Sequence, residues 1–133
     1  MKFSILDSVK TNNFTDPKIE QKITTMWEKH SKDVKEIFEA GGIISCVYHD
    51  YQSNYKGDYI VSLCKENNVT GTFDTSGYNW KEYIVDNNDP FGINNTWKRI
   101  WSEEETNEID RVYDFDFEQY KLDGEVRIFI AIL

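Results

Sequence analysis

The sequence predicts an α+β fold in which a strand-helix-strand-strand unit occurs twice, forming antiparallel sheet with two helices around a central pseudo-twofold cleft. Three observations lead there. Strand-like and helix-periodic segments follow one another in the same order in both halves of the chain. Matching residues recur when the halves are overlaid, Trp27 on Trp101, Tyr51 on Tyr120 and Gly57-Asp58 on Gly124-Glu125. The length, 133 residues, suits one ordinary domain and no second core, so residues 1–133 are read as a single domain with pseudo-repeats at about 1–66 and 77–133.

The elements follow in chain order. Lys2 to Val9 is apolar and β-branched enough for a strand, and Lys10-Thr11-Asn12-Asn13 after it is turn chemistry. Asp16 is a good N-cap with Pro17 at the first helical position. Ile19, Ile23, Met26, Trp27, His30, Val34 and Ile37 then recur at helical steps, which predicts one helix that ends at Ala40-Gly41-Gly42. Gly42 to Gln52 and Asp58 to Cys64 read as a hairpin, and the polar stretch Lys65 to Gly77 as the connection between halves. In the second half Tyr78 to Val85 is a strand and Asp86-Asn87-Asn88-Asp89-Pro90 a turn. Ile93, Trp97, Ile100 and Trp101 mark a shorter second helix, and the acidic stretch Glu103-Glu104-Glu105 precedes the last hairpin. Val112 to Tyr120 and Glu125 to Leu133 close the chain as a hairpin around Asp123-Gly124.

Composition narrows the function classes. Charged residues make up 29% and apolar residues 39%, with a mean hydropathy of -0.65, the profile of a water-soluble globular chain. No apolar run is long enough for a membrane span, and Met1 to Asp7 meets an acidic residue where a signal peptide needs apolar ones, so a cytoplasmic location is expected. Cys46 and Cys64 lie in apolar strand-like runs and are read as reduced, buried thiols. A net charge of -9 repels nucleic acid and attracts cations, although an acidic balance also serves solubility alone. Four Trp, eight Tyr and eight Phe, 15% of the chain, exceed what a core of this size needs and offer walls for a flat ligand.

Lys10-Thr11-Asn12-Asn13, the helix carrying Trp27, and Tyr48-His49-Asp50-Tyr51-Gln52-Ser53-Asn54-Tyr55-Lys56-Gly57-Asp58-Tyr59 together resemble the stand-alone effector-binding proteins of the GyrI-like superfamily. Asp116-Phe117-Glu118-Gln119-Tyr120 and Val126-Arg127-Ile128-Phe129-Ile130-Ala131-Ile132 are similar to that superfamily's two closing strands, with Ala131 where a proline is frequent. The resemblance implies a small-molecule effector domain like those of AraC-type and MerR-type multidrug regulators, here without a DNA-binding domain. It also leaves two alternatives open, a hydrolase of cyclopropane-type natural products and a toxin-antagonist or gyrase-inhibitor-like interaction module. In the resembling sensors the matching glutamate sits on the pocket floor and answers a cationic ligand, which implies that role for Glu118.

On a strand, Glu118 and Tyr120 share a face and would put an acid and a phenol on one wall; the alternative is a solvated strand-edge glutamate. Tyr48, Tyr51, Tyr59, Trp80, Trp101 and Phe129 are the other candidates for a ligand lining, with Tyr55 and Trp97 as further rings. Tyr48 and Tyr51, three apart, are expected on opposite strand faces. Core packing is the stronger expectation for Trp27, and Trp101 is kept as a candidate beside the same core reading. His49 overlays on Glu118 and could share the cleft with it, although a lone strand histidine is commonly structural. No nucleophile, metal, phosphate-loop or dinucleotide motif is present. The expectation is therefore a binding protein rather than an enzyme, with no cofactor, no membrane or direct nucleic-acid contact, and any protein partner unspecified.

Overall fold

The computed structural model describes all residues, Met1–Leu133. Seven antiparallel strands form one curled sheet: β1 (Lys2–Asn12), β2 (Ile44–His49), β3 (Asp58–Glu66), β4 (Phe73–Asp74), β5 (Asn79–Ile84), β6 (Phe115–Tyr120) and β7 (Val126–Ile132). Their spatial order is β4-β1-β3-β2-β6-β7-β5. Leaving aside the short β4, the order reads outward from the β2/β6 pair identically in both directions, which is the arrangement a duplicated unit requires. The halves meet where Cys46 pairs with Glu118 and Val47 with Phe117.

Alternation along the strands assigns each side chain to one of two faces. On β3, Tyr59, Val61 and Leu63 join Met26, Val34, Ile44 and Cys46 under the first pair of helices. On β5 and β7, Tyr83, Ile128 and Ile130 pack with Ile100 of the last helix. The opposite face holds its own apolar cluster of Phe3, Val47, Cys64, Phe115 and Phe117, joined by Phe73, Trp80 and Phe129. Cys46 and Cys64 are both buried and free, on opposite faces.

The helices depart from the sequence expectation. The first stripe forms two helices, α1 (Ile19–Lys29) and α2 (Ser31–Glu39), broken at His30. Its φ of -111° and ψ of 19° lie outside helical geometry. The His30 ring is tied to β1, with Nε2 3.0 Å from Asp7 Oδ2. Asp16 is not the helix cap: the N-cap is Lys18, two positions later, and Asp16 Oδ1 accepts from Lys18 N in the turn that precedes the helix start at Ile19. The second-half helix α3 (Gly92–Glu105) is the longer one, 14 residues against 11 for α1, because the acidic run continues it. Glu103 is buried there, accepting from Lys81, Arg99 and Tyr83, and these bonds and cations hold its carboxyl down at about 2 against the cost of burial. The polar connection between the halves contains β4, which pairs Phe73 with Phe3 on the outer edge of β1.

Candidate functional site

Between the helices and the curled sheet lies a cleft of about 660 Å³, bordered by α1, α3, the β2–β3 loop and the floor strands. That volume is in the range of small-molecule sites. Its floor is Glu118 on β6. Glu118 is 3% exposed, and its carboxylate accepts three hydrogen bonds from uncharged donors: Tyr48 Oη at 2.9 Å and Trp97 Nε1 at 2.6 Å on Oε2, and Tyr120 Oη at 2.6 Å on Oε1. No cationic side chain pairs with it. Burial raises the Glu118 carboxyl above the usual glutamate range, and the three donors work against that rise without cancelling it. Burial, with Glu118 as the next contribution, also pushes the Tyr48 and Tyr120 phenols well above their usual range, so both keep their protons and serve as donors.

The walls are aromatic. The Tyr48 ring lies 5.0 Å from Trp97 and 5.6 Å from Tyr59, and Tyr51 lies 6.1 Å from Tyr59. At one end Tyr55 stacks on Trp101, centroids 5.1 Å apart with planes 9° from parallel. The asparagines of the first turn hold this wall in place. Asn13 donates through Nδ2 to the Tyr55 carbonyl and accepts from Tyr59 Oη, while Asn12 Nδ2 reaches the Lys56 carbonyl and Asp58 Oδ1. Asn13, 42 residues before Tyr55 and 46 before Tyr59, thus helps set where two pocket rings stand.

A second buried carboxylate, Asp116, shares the strand face with Glu118. It accepts from Arg111 Nη2 at 2.7 Å, Tyr51 Oη at 2.6 Å and the Ala131 backbone N–H at 2.9 Å. Both side chains of the ion pair are shut away from solvent, at 1% and 0% exposure. The guanidinium lies 4.2 Å from the Tyr113 ring centroid and 5.8 Å from that of Tyr51. Asp116 belongs to the same alternating strand as Glu118, but nothing in the sequence marks Arg111, which precedes the strand, as its partner.

Of the candidate lining, Glu118, Tyr120, Tyr48, Tyr51, Tyr59 and Trp101 border the cleft, as do Tyr55 and Trp97. Tyr48 and Tyr51 were expected on opposite faces, yet both reach the cleft. Strand β2 stops at His49, and Asp50 adopts a positive φ of 50°, which swings Tyr51 back to the side of Tyr48. Trp27 is part of the core cluster and meets Tyr120 edge-on at 5.0 Å.

His49, Trp80 and Phe129 are corrections, since all three lie on the other face of the sheet. Trp80 packs 5.1 Å from Phe117 and donates to the Thr75 carbonyl, and Phe129 stacks on Phe117 at 4.7 Å. The reason is alternation: β5 puts Tyr83, and β7 puts Ile128 and Ile130, under α3, which leaves Trp80 and Phe129 facing away. His49 has Nε2 2.7 Å from Ser62 Oγ and Nδ1 3.3 Å from Asp50 Oδ2, with Phe73 against its ring. Burial holds its imidazole below the usual value. This Ser-His-Asp array is structural. Ser62 is fully buried in mid-strand between Ser8 and Val47, and its Oγ is also 2.6 Å from Ser8 Oγ, so a substrate carbonyl has no path to it.

No cluster of three His, Cys, Asp or Glu side chains that could hold a metal converges in the chain, and no helix is long and apolar enough to cross a membrane. Residues 7–132 match the family model described as integron-associated effector binding protein, Cass2. The chain belongs to this family. Within solved structures, the fold is similar to that of the integron cassette protein VCH_CASS2 from the mobile metagenome of Vibrio cholerae. That likeness has 20% identity and a TM-score of 0.67, and it covers 98% of this chain and 94% of the other. Among functionally curated proteins no significant match is found. The Cass2 family assignment and the cleft agree on the effector-binding class.

Proposed function

We propose that the cleft binds a planar hydrophobic cation, with Glu118 as its counter-charge and the tyrosine and tryptophan rings as its walls. One observation carries this reading: a carboxylate 3% exposed, at the floor of a cleft, held by three neutral donors and by no cation. Isolated buried charge is unfavourable, and an incoming cation relieves it. Rings within 5 to 6 Å of one another around that carboxylate add cation-π and stacking attraction. The chain's charge of -9 favours a cation's approach and disfavours nucleic acid. The role that follows is cytoplasmic sequestration or sensing of a drug-like effector, in the manner of the multidrug sensors, without chemical turnover.

The test is a titration with a rhodamine-type dye followed by fluorescence anisotropy. Binding in the micromolar range, roughly 8 kcal/mol, is expected. Glu118→Gln keeps the shape and removes the charge, so it weakens the dye by about 1 to 3 kcal/mol and leaves a neutral analogue of equal size almost unchanged. Binding of both ligands untouched by Glu118→Gln would remove the carboxylate from the account, and conversion of the ligand would point to hydrolysis instead.

A further inference from the structure

Each strand-to-helix connection exposes one phenylalanine, and the two are placed differently. Phe14, between β1 and α1, is 59% exposed but packs its ring 5.6 Å from Trp101 and 6.1 Å from Tyr55. Phe91, directly before α3, is 67% exposed and borders the cleft itself, together with Ile19 and Ile23 of α1. The backbone that carries this ring is held by hydrogen bonds. Asp89 Oδ1 accepts from Phe91 N at 2.9 Å, and Asp89 Oδ2 accepts from Asn95 Nδ2 at 2.8 Å. The next residue, Gly92, lies so close to the Asp86 carbonyl that a Cβ there would stand 2.4 Å from its oxygen. The turn therefore tolerates no side chain at residue 92 and presents Phe91 in a preset position.

We propose that the effector is an elongated cation, whose charged head meets Glu118 and whose uncharged aromatic or apolar end is gripped by Phe91. This rests on the reading of Glu118 as the cation's partner. The cleft of about 660 Å³ has room beyond a single ring head. Phe91 stands at the N-terminal end of α3, ten residues before Trp101, whose ring is taken up by Tyr55 and Phe14, so the two aromatic groups are about 15 Å apart along the helix. Covering an exposed phenylalanine is favourable in proportion to the apolar area removed from water. Glu20, Asp86 and Asp89 border the cleft along with Lys98 and Arg111, and since Arg111 is paired with Asp116 the lining as a whole disfavours an anionic tail.

The experiment compares two ligands with one head, 1-methylquinolinium and 1-(4-phenylbutyl)quinolinium, titrated calorimetrically against the full chain. Wild type prefers the longer ligand by at least about tenfold. Phe91→Ala reduces that preference to within about threefold and leaves the short ligand within about twofold of wild type. Phe91→Leu, which keeps apolar bulk, falls between. Leu122→Ala removes an equally exposed apolar side chain, 68% exposed, that does not border the cleft, and it leaves the preference intact. A preference unchanged in Phe91→Ala overturns the proposal. Glu118→Gln weakens both ligands alike and preserves their ratio; if it weakens neither while Phe91→Ala still abolishes the preference, the charge reading fails and the grip by Phe91 stands. Absence of binding by either ligand to wild type refutes both.

Discussion

Asp116 and Glu118 stand two residues apart on one face of β6, both carboxylates buried, and they are satisfied in opposite ways. Asp116 has a cation, Arg111, at 2.7 Å, with a tyrosine and a backbone N–H completing its shell. Glu118 has three neutral donors and no cation. The first arrangement is closed, since charge and hydrogen bonds are both balanced inside the protein. In the second the hydrogen bonds are met and the charge is not. A difference of this kind separates a structural carboxylate from one kept for a ligand, because a fold gains nothing by burying a charge it leaves unbalanced.

Removing each partner in turn separates the two carboxylates most directly. Arg111→Met strands Asp116 as an unpaired buried charge and is expected to cost about 3 to 5 kcal/mol in urea unfolding. Glu118→Gln strands nothing. Its amide oxygen takes the Tyr48 and Trp97 bonds, and its NH₂ faces a Tyr120 hydroxyl that can turn to accept, so stability stays within about 1 kcal/mol of wild type. Equal losses in the two variants would mean that the two carboxylates play the same role.

The pH dependence sharpens the contrast by a smaller effect. Burial raises the folded-state pKa of Glu118, so the neutral carboxyl is the form that folding favours. Its contribution to stability is full below the ordinary glutamate value and is lost as pH rises through the raised one. Cation binding runs the other way, strengthening over that same rise as the carboxylate forms. Wild type should therefore show tighter dye binding and lower unliganded stability across this window, and Glu118→Gln should show neither slope. A flat wild-type binding profile from pH 4 to 8 would separate ligand affinity from Glu118 ionisation.

The smallest expected effect concerns a single donor. Trp97→Phe removes one hydrogen bond that favours the ionised Glu118, so the midpoint of pH-dependent dye binding moves upward by a fraction of a unit. Trp27, on the corresponding helix of the first half, makes no bond to Glu118, and Trp27→Phe leaves that midpoint in place.

Local periodicity made much of this legible in the residues themselves. Period-two alternation put Glu118 and Tyr120 on a common face, helical spacing put Trp97 and Trp101 on one side of α3, and Gly124, with φ of 85°, marked the last hairpin turn. The repeated element order also contained the strand arrangement around the β2/β6 pair. Face assignment failed where the chain leaves regular geometry or where a face has its own cover. Asp50 turns through a positive φ and brings Tyr51 into the cleft, whereas Trp80, Phe129 and His49 belong to an aromatic layer on the far side that alternation alone cannot distinguish from the ligand side. The helix break falls at His30, whose ring meets Asp7, 23 residues away. The cleft's chemistry was likewise set at long range: Tyr48 reaches Glu118 across 70 residues of sequence, and Arg111 neutralises Asp116 and not Glu118. Sequence determines which side chains share an element's face, because that follows from backbone period alone. Which carboxylate is paired and which is left for a cation depends on the register between strands and on where an irregular segment lands, and only tertiary packing decides both.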